Sequence, residues 1–467
     1  MLEMNWALDE ISASLEGLLV EQTGSPSGVV RLIQTDSRQV GSGDLFVCLI
    51  GERFDAHDFA AQVVQAGACA LVTDRVLDID VPQLVVNDTR LALGALGSAW
   101  RHKFDLKVLA VVGSNGKTTS KEMLGAICKA QYGADQVLVT AGNLNNDIGV
   151  PQTLLKLRKQ HTVAVIEMGM NHPGEIDYLA GLVKPDVVLL TNAQREHQEF
   201  MKTVLAVAKE NGSAFTHLPA DGTAVFPVSE EFELCWREQS TGRHVLRFGA
   251  DAESELLPSS ESVHVGSAEL KLLGTTIHLQ PSFIGEHNYA NAAGAAAAAH
   301  AAGCTHDAIQ NGLNSFQPVN GRLQIALNTP SLLLINDSYN ANPDSVNAAS
   351  QVLAAQQGST LLVLGDMGEV GDQGPQFHAE AGALARSLGI ARLFTLGAQS
   401  TSAATAFGAG ARHFEDMASL QQAACAALPE VGSILVKGSR FMKMEQVVQA
   451  VEAAGKDDGC KKEAACC

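Results

Sequence analysis

Short runs of valine, leucine, isoleucine and alanine recur along the chain, bounded by glycine, asparagine or aspartate and separated by stretches of helical periodicity. The runs over 45–49, 70–72, 83–86, 108–112, 137–140, 163–167 and 187–191 predict strands. A continuous apolar run between turn residues suits a strand buried on both faces. Further runs over 332–336, 361–364, 392–396 and 434–437 repeat the pattern. Segments such as 60–66 and 120–129 read as the intervening helices. This alternation predicts an α/β fold in which helices cover both faces of largely parallel sheets. Over 222–279 the pattern changes to short strand-like runs with few helix signals, which predicts an antiparallel addition. Five consecutive alanines precede His300, and the stretch 290–302 therefore reads as a helix lying close to its neighbours.

At 467 residues the chain exceeds what one core supports, so several domains are expected. The composition shifts divide it into 1–88, 89–317 and 318–467. A net charge of −19 argues against a nucleic-acid surface, which needs a broad basic face. No apolar window approaches the roughly 20 residues of a membrane span. The acidic N-terminus lacks the basic region of a secretory signal, so a cytoplasmic protein is expected. Nine scattered cysteines, none in a Cys-x-x-Cys pair, read as reduced thiols. The tail over 455–467 mixes lysines, acids and three of those cysteines, which suits either a frayed terminus or a small metal site.

Candidate chemistry begins where the run 108–112 ends. Gly113-Ser114-Asn115-Gly116-Lys117-Thr118-Thr119 lies between a predicted strand and a predicted helix. Such a loop aims backbone N–H groups and the positive end of a helix dipole at an anion. Gly113 and Gly116 leave room for phosphate oxygens, Lys117 adds a charge, and Thr118 offers a hydroxyl to Mg2+. The spacing is compressed, because Val111 stands where the usual motif has its first glycine. The pattern fixes the cosubstrate as a nucleoside triphosphate, with Lys117 expected to be exposed in the empty state. The plainer reading is a glycine turn with a solvated lysine.

Glu167 closes the run 163–167, at the strand end where open α/β sheets bind ligands, and reads as a magnesium ligand. His197 follows the next strand and joins Thr118 and Glu167 as a candidate metal residue. Asn288 and Asn291, three apart at the head of the alanine-rich helix, share a helical face; Asn288 alone also reads as a helix cap. Amide-dense segments after strands, with Asn143, Asn145 and Asn146 in one and Asn340 and Asn342 in another, suit recognition of a polar substrate.

The ordered set of these segments resembles the Mur ligase family. It comprises Asp36-Ser37-Arg38, the run 51–59, the compressed loop, the segment 143–151, His287-Asn288-x-x-Asn291, Asn320-Gly321-Arg322, the segment 337–345, the run 364–369 and Lys437-Gly438-Ser439-Arg440. The resemblance spans nearly the whole chain. It implies a small N-terminal α/β domain that binds the UDP-sugar, a central parallel-sheet P-loop ATPase domain, and a C-terminal Rossmann-like domain. The last closes over ATP and receives the incoming dipeptide. It further implies ATP-dependent joining of D-alanyl-D-alanine to UDP-N-acetylmuramoyl-tripeptide through an acyl phosphate, in peptidoglycan precursor synthesis; separately, a monomer is expected. The tripeptide-forming members carry an Asp-Asn-Pro-Arg motif that is missing here. Folylpolyglutamate-synthase-like ligases share the loop and the amide chemistry, and a nucleotide-dependent switch would share the loop alone.

By the same resemblance, Lys117 meets the β- and γ-phosphates, and His197 helps place a second ion. Asn288 and Asn291 meet adenine, and Arg322 and Asp337 touch the nucleotide. Lys437 and Arg440 complete the closed site, while Ser37, Arg38, Asn143, Asn145 and Asn146 hold the UDP-substrate. Many members carry a carbamylated lysine on the helix after His197. Counted back from Phe215, that position is Asn211, with Lys209 two residues earlier. Either the helix is displaced, or the site forms without a carbamate.

Overall fold

In a computed structural model the chain is described over residues 3–51, 53–196, 198–229, 231–258 and 266–464. It divides into two compact units. One comprises Met1–Ala110, Tyr132–Met170 and Glu175–Asp186, and the other Val111–Gln131, Asn171–Gly174 and Val187–Cys467.

In the first unit, Ile33–Gln34, Leu45–Val47, Ala70–Thr73 and Gln83–Val86 are adjacent parallel strands, and Leu19–Thr23 adds antiparallel to the last. Every residue of Ala70–Thr73 and Gln83–Val86 is buried, as expected of parallel strands covered on both faces. Asp88 caps the helix Thr89–Arg101 by accepting from the N–H groups of Arg90 and Leu91. Gly97 lets that helix press on Pro151, since a Cβ there would lie 2.8 Å from the Pro151 Cα. Val137–Val139 pairs parallel with Val163–Glu167.

The second unit opens inside the strand Lys107–Val112, which begins in the first. Val187–Leu190, Thr223–Pro227, His244–Phe248 and Ser254–Pro258 follow one another as parallel neighbours, whereas Ala268–Leu272 pairs antiparallel with Ser254–Pro258 and with Thr275–Leu279. The segment 222–279 thus departs from its expected antiparallel character. Its first half continues the parallel sheet, with the helix Glu233–Gln239 as the crossover between two parallel strands. The alanine-rich helix Glu286–Ala301 packs on this sheet, with Ala292–Ala299 fully buried. Small side chains bring its backbone so close that Ser254 Oγ donates to the Ala293 carbonyl at 2.8 Å.

The rest of the second unit holds a six-stranded sheet. Its order is Gln324–Thr329, Leu332–Asp337, Ser433–Lys437, Thr360–Gly365, Arg392–Leu396 and Ala411–Phe414, antiparallel only at the first pair. Alternation along the strands divides the core in two. Ile335, Leu362, Leu364 and Leu435 face one layer, and Leu334, Leu361, Val363, Ile434 and Val436 the other. Each such side chain contributes about 1.5–3 kcal/mol by leaving water. The helix Glu445–Ala464 takes up part of the tail in which the sequence allowed a metal site. Among the described residues no helix is long and apolar enough to cross a membrane.

Candidate functional site

The phosphate loop is built as expected, from a fully buried strand end into the helix Lys117–Tyr132. Both glycines are obligatory. Gly113 has φ +126°, and a Cβ there would lie 2.1 Å from Thr191 Oγ1; Gly116 has φ +81°, and its Cβ would lie 2.3 Å from Asn291 Oδ1. The residues after Val187–Leu190 hold the loop from one side. Thr191 N–H donates to the Val112 carbonyl at 2.9 Å, and Ser114 N–H to the Asn192 carbonyl at 3.1 Å. Asn192 brackets Asn115 with its side chain, accepting from Asn115 N–H at 2.9 Å and donating to its carbonyl at 3.0 Å. Thr191 Oγ1 donates to that carbonyl as well, at 2.7 Å. A second hold comes from the helix Val204–Gly212, where buried Asn211 accepts from Gly113 N–H at 2.8 Å. Sequence reasoning did not single out Thr191, Asn192 or the Asn211 bond, although the polar run after a buried strand was the available signal.

Lys117 differs from expectation. Its side chain is only 15% exposed, folded back so that Nζ donates to the Gly113 and Ser114 carbonyls and lies 3.4 Å from Glu196 Oε2. An ammonium next to a glycine loop finds carbonyls and a carboxylate before it finds water. Thr118 and Thr119 are buried in the first turn of their helix.

Asn288 is not the cap of the alanine-rich helix, since Gly285 occupies that place. Asn288 sits in the first turn, buried, its Nδ2 donating to the Ile284 carbonyl at 2.8 Å and its Oδ1 accepting from Asn291 at 3.2 Å. Its partner Asn291 abuts Gly116, so the structure brings this amide pair to the phosphate loop.

A third group gathers at the carboxyl ends of the six-stranded sheet, the edge at which open α/β sheets bind ligands. Parallel register sets Asp337 beside Lys437, and Lys437 Nζ donates to Asp337 Oδ2 at 2.6 Å and to the Asn340 carbonyl at 3.0 Å. Asp337 also accepts from Leu323 N–H, which ties down the loop carrying Arg322. The Arg322 guanidinium lies over the Tyr339 ring at 4.2 Å. Nearby His287 is pushed down to about 4, by desolvation first, with the Lys437 charge adding and the Asp337 charge opposing. Asn342 caps the helix Pro343–Ala354 in a capping box with Ser345. It also meets Asn115, to which its Nδ2 donates at 2.9 Å. Asp344 accepts from the Arg195 N–H at 2.7 Å and from its guanidinium at 2.7 and 3.0 Å. Arg440 stands apart, exposed and paired with Glu445.

In the first unit, Glu167 ends its strand fully buried. Its N–H donates to Thr140 Oγ1 at 3.0 Å, and its Oε1 accepts from Asn145 at 2.8 Å. Asn146 accepts from the N–H of Gly149, which opens the helix Gly149–Leu154, while Asn143 is exposed. Ser37 lies in a single helical turn, and Arg38 is exposed in a two-bond pair with Asp36, whose carboxyl it holds far below the usual carboxylate range. His197 lies outside the described residues.

Loop and sheets together define an α/β protein of the P-loop type that binds a nucleoside triphosphate. The descriptions "Mur ligase family, catalytic domain", "Mur ligase middle domain" and "Mur ligase, glutamate ligase domain" match residues 29–132, 111–299 and 321–440. The UDP-N-acetylmuramoyl-tripeptide–D-alanyl-D-alanine ligase of Escherichia coli (strain K12) is 43% identical over 429 residues, 91% of this chain and 94% of its own. Among solved structures, MurF from Acinetobacter baumannii matches with a TM-score of 0.89 at 35% identity, covering 97% of this chain and 100% of that one. MurF ligase from Thermotoga maritima in complex with ADP matches at 0.82 and 25% identity, over 92% and 99%. The chain belongs to the Mur ligase family.

Proposed function

We infer that this chain is the ATP-dependent ligase that adds D-alanyl-D-alanine to UDP-N-acetylmuramoyl-tripeptide in peptidoglycan precursor synthesis. The phosphate loop carries the reading, set in a chain that matches a ligase of that name over nearly its full length.

A peptide carboxylate is a poor electrophile, because an oxide-like oxygen would have to leave. Its oxygen attacks the γ-phosphorus of ATP, the bond to the β,γ-bridging oxygen breaks, and ADP departs. The acyl phosphate then has phosphate as its leaving group. The dipeptide amine attacks the carbonyl carbon, the tetrahedral intermediate expels phosphate, and the amine loses its proton as the amide forms. The chain's part is to hold anions together and neutralise charge as it moves. Lys117 exchanges its carbonyl partners for the β- and γ-phosphates, and the N–H groups of 113–119 take the remaining oxygens. Asn288 and Asn291, beside Gly116, receive the adenine end, while Arg322 and Asp337 meet the nucleotide from the C-terminal sheet. Asn340, Asn342, Lys437 and Arg440 serve the incoming dipeptide, and Ser37, Arg38, Asn143, Asn145 and Asn146 the UDP-substrate.

The oxygen donors of Thr118 and Glu167 suit Mg2+, a hard cation, with His197 as a further ligand. When bound, the ion offsets triphosphate charge. The protein acts as a cytoplasmic monomer. The deciding assay is phosphate release with each substrate omitted in turn. Release should require ATP, UDP-N-acetylmuramoyl-tripeptide and D-alanyl-D-alanine together, and release without the dipeptide would overturn the reading.

A further inference from the structure

We propose that Asn211 is a positioning residue for the nucleotide, acting through the first residue of the phosphate loop. The proposal rests on the loop being the ATP site. Asn211 lies in the last turn of the helix Val204–Gly212 and is 1% exposed. Its Nδ2 donates to the Val207 carbonyl one turn back at 3.1 Å, which fixes the amide so that Oδ1 faces out of the helix. That oxygen accepts from Gly113 N–H at 2.8 Å, across 98 positions of sequence.

Gly113 is where the chain leaves the strand with a positive φ, and Thr191 leaves no space on its other side. A buried N–H at such a bend needs a partner, because without one it loses its hydrogen bond to water and gains none in return. The Gly113 carbonyl is one of the groups that receive Lys117 Nζ. Asn211 therefore holds the peptide that enters Gly113, one residue's φ and ψ away from the carbonyl that receives the lysine. The supporting helix is itself held from behind. Trp236 Nε1 donates to the Ala208 carbonyl at 3.1 Å, and Gln239 Nε2 to the Lys209 carbonyl at 2.8 Å.

The test compares Asn211→Ala and Asn211→Ser with Gln239→Ala and Lys117→Ala in the full chain. The measurements are the Kd of ADP by calorimetry, KM and kcat for each substrate, thermal unfolding, and amide hydrogen exchange over 113–117. Both Asn211 variants should raise the ADP Kd and the ATP KM about tenfold, the size of one lost hydrogen bond, with the UDP-substrate KM changed by less than about twofold. Exchange at Gly113 should accelerate. Gln239→Ala should lower the melting temperature without moving the ATP KM. Unchanged ADP affinity in either folded Asn211 variant overturns the proposal, as does an equal rise in the UDP-substrate KM. If Lys117→Ala also binds ADP and turns over normally, the ATP-site reading itself has failed; if only the Asn211 variants are silent, the positioning role alone has.

Discussion

Asn115 and Asn342, 227 positions apart, meet amide to amide: Asn342 Nδ2 donates to Asn115 Oδ1 at 2.9 Å, and Asn115 Nδ2 approaches Asn342 Oδ1 at 3.3 Å. One lies in the phosphate loop, and the other caps the helix Pro343–Ala354. Beside them Arg195 holds Asp344, in the first turn of that helix, through three hydrogen bonds. The C-terminal sheet is thereby fastened to the nucleotide loop through the end of one helix.

This fastening predicts coupling. Arg195→Ala and Asp344→Ala should each raise the ATP KM, and a double-mutant cycle should give an interaction of about 1–2 kcal/mol for a partly buried, two-pronged pair. Additive effects in the cycle would show that the contact carries no energy.

Lys117→Ala should reduce ligation by at least about a hundredfold, since the lysine acts on charge in transfer. The change also leaves buried Glu196 without its cation, so the melting temperature should fall as well. Steady-state turnover and calorimetric unfolding measure the two separately.

Counted back from Phe215, Asn211 falls at the place where the family resemblance implies a carbamylated lysine, and Lys209 is exposed. Activity should therefore be the same in carbon-dioxide-depleted and bicarbonate-supplemented buffer. Lys209→Ala should change kcat by less than about threefold, as for an exposed charge. Collapse of the Lys209 variant, with rescue by short-chain acids, would reverse the assignment.

Lys437 is 4% exposed and Asp337 12% at the side chain. Replacing Lys437 by methionine leaves a buried carboxylate without its partner and should cost about 3–5 kcal/mol of stability. Asp337→Asn in the same chain should restore most of that loss in urea unfolding, although not the activity.

His287 titrates at about 4 in the folded chain against an ordinary 6.5. A lowered value means that the unfolded chain binds the proton first on acidification. The contribution is full above pH 6.5 and is lost as the pH falls through about 4, up to roughly 3 kcal/mol. His287→Asn should flatten this part of the stability profile, measured as the difference between the two proteins from pH 7 to 4.

Much of the molecule follows from local order in the sequence. The strand Val163–Glu167 has the bounds its apolar run dictates, and the loop 113–119 lies between strand and helix because glycines follow a β-branched run. The parallel half of 222–279 was not legible, because parallel and antiparallel strands share an apolar pattern and differ in the crossover that joins them. The ligand-like residues were legible as types, but their partners were not. Nothing near Asn211 marks it as the support of Gly113, and nothing near Asn342 marks it as a neighbour of Asn115. Sequence by itself determined the elements, the phosphate loop and the family, because these depend on residues close together in the chain. Only the tertiary structure decided that Lys117 folds onto its own loop, that Asp337 faces Lys437, and that Asn211 turns inward while Lys209 turns out. Those depend on which distant backbone groups, once buried, must find a partner.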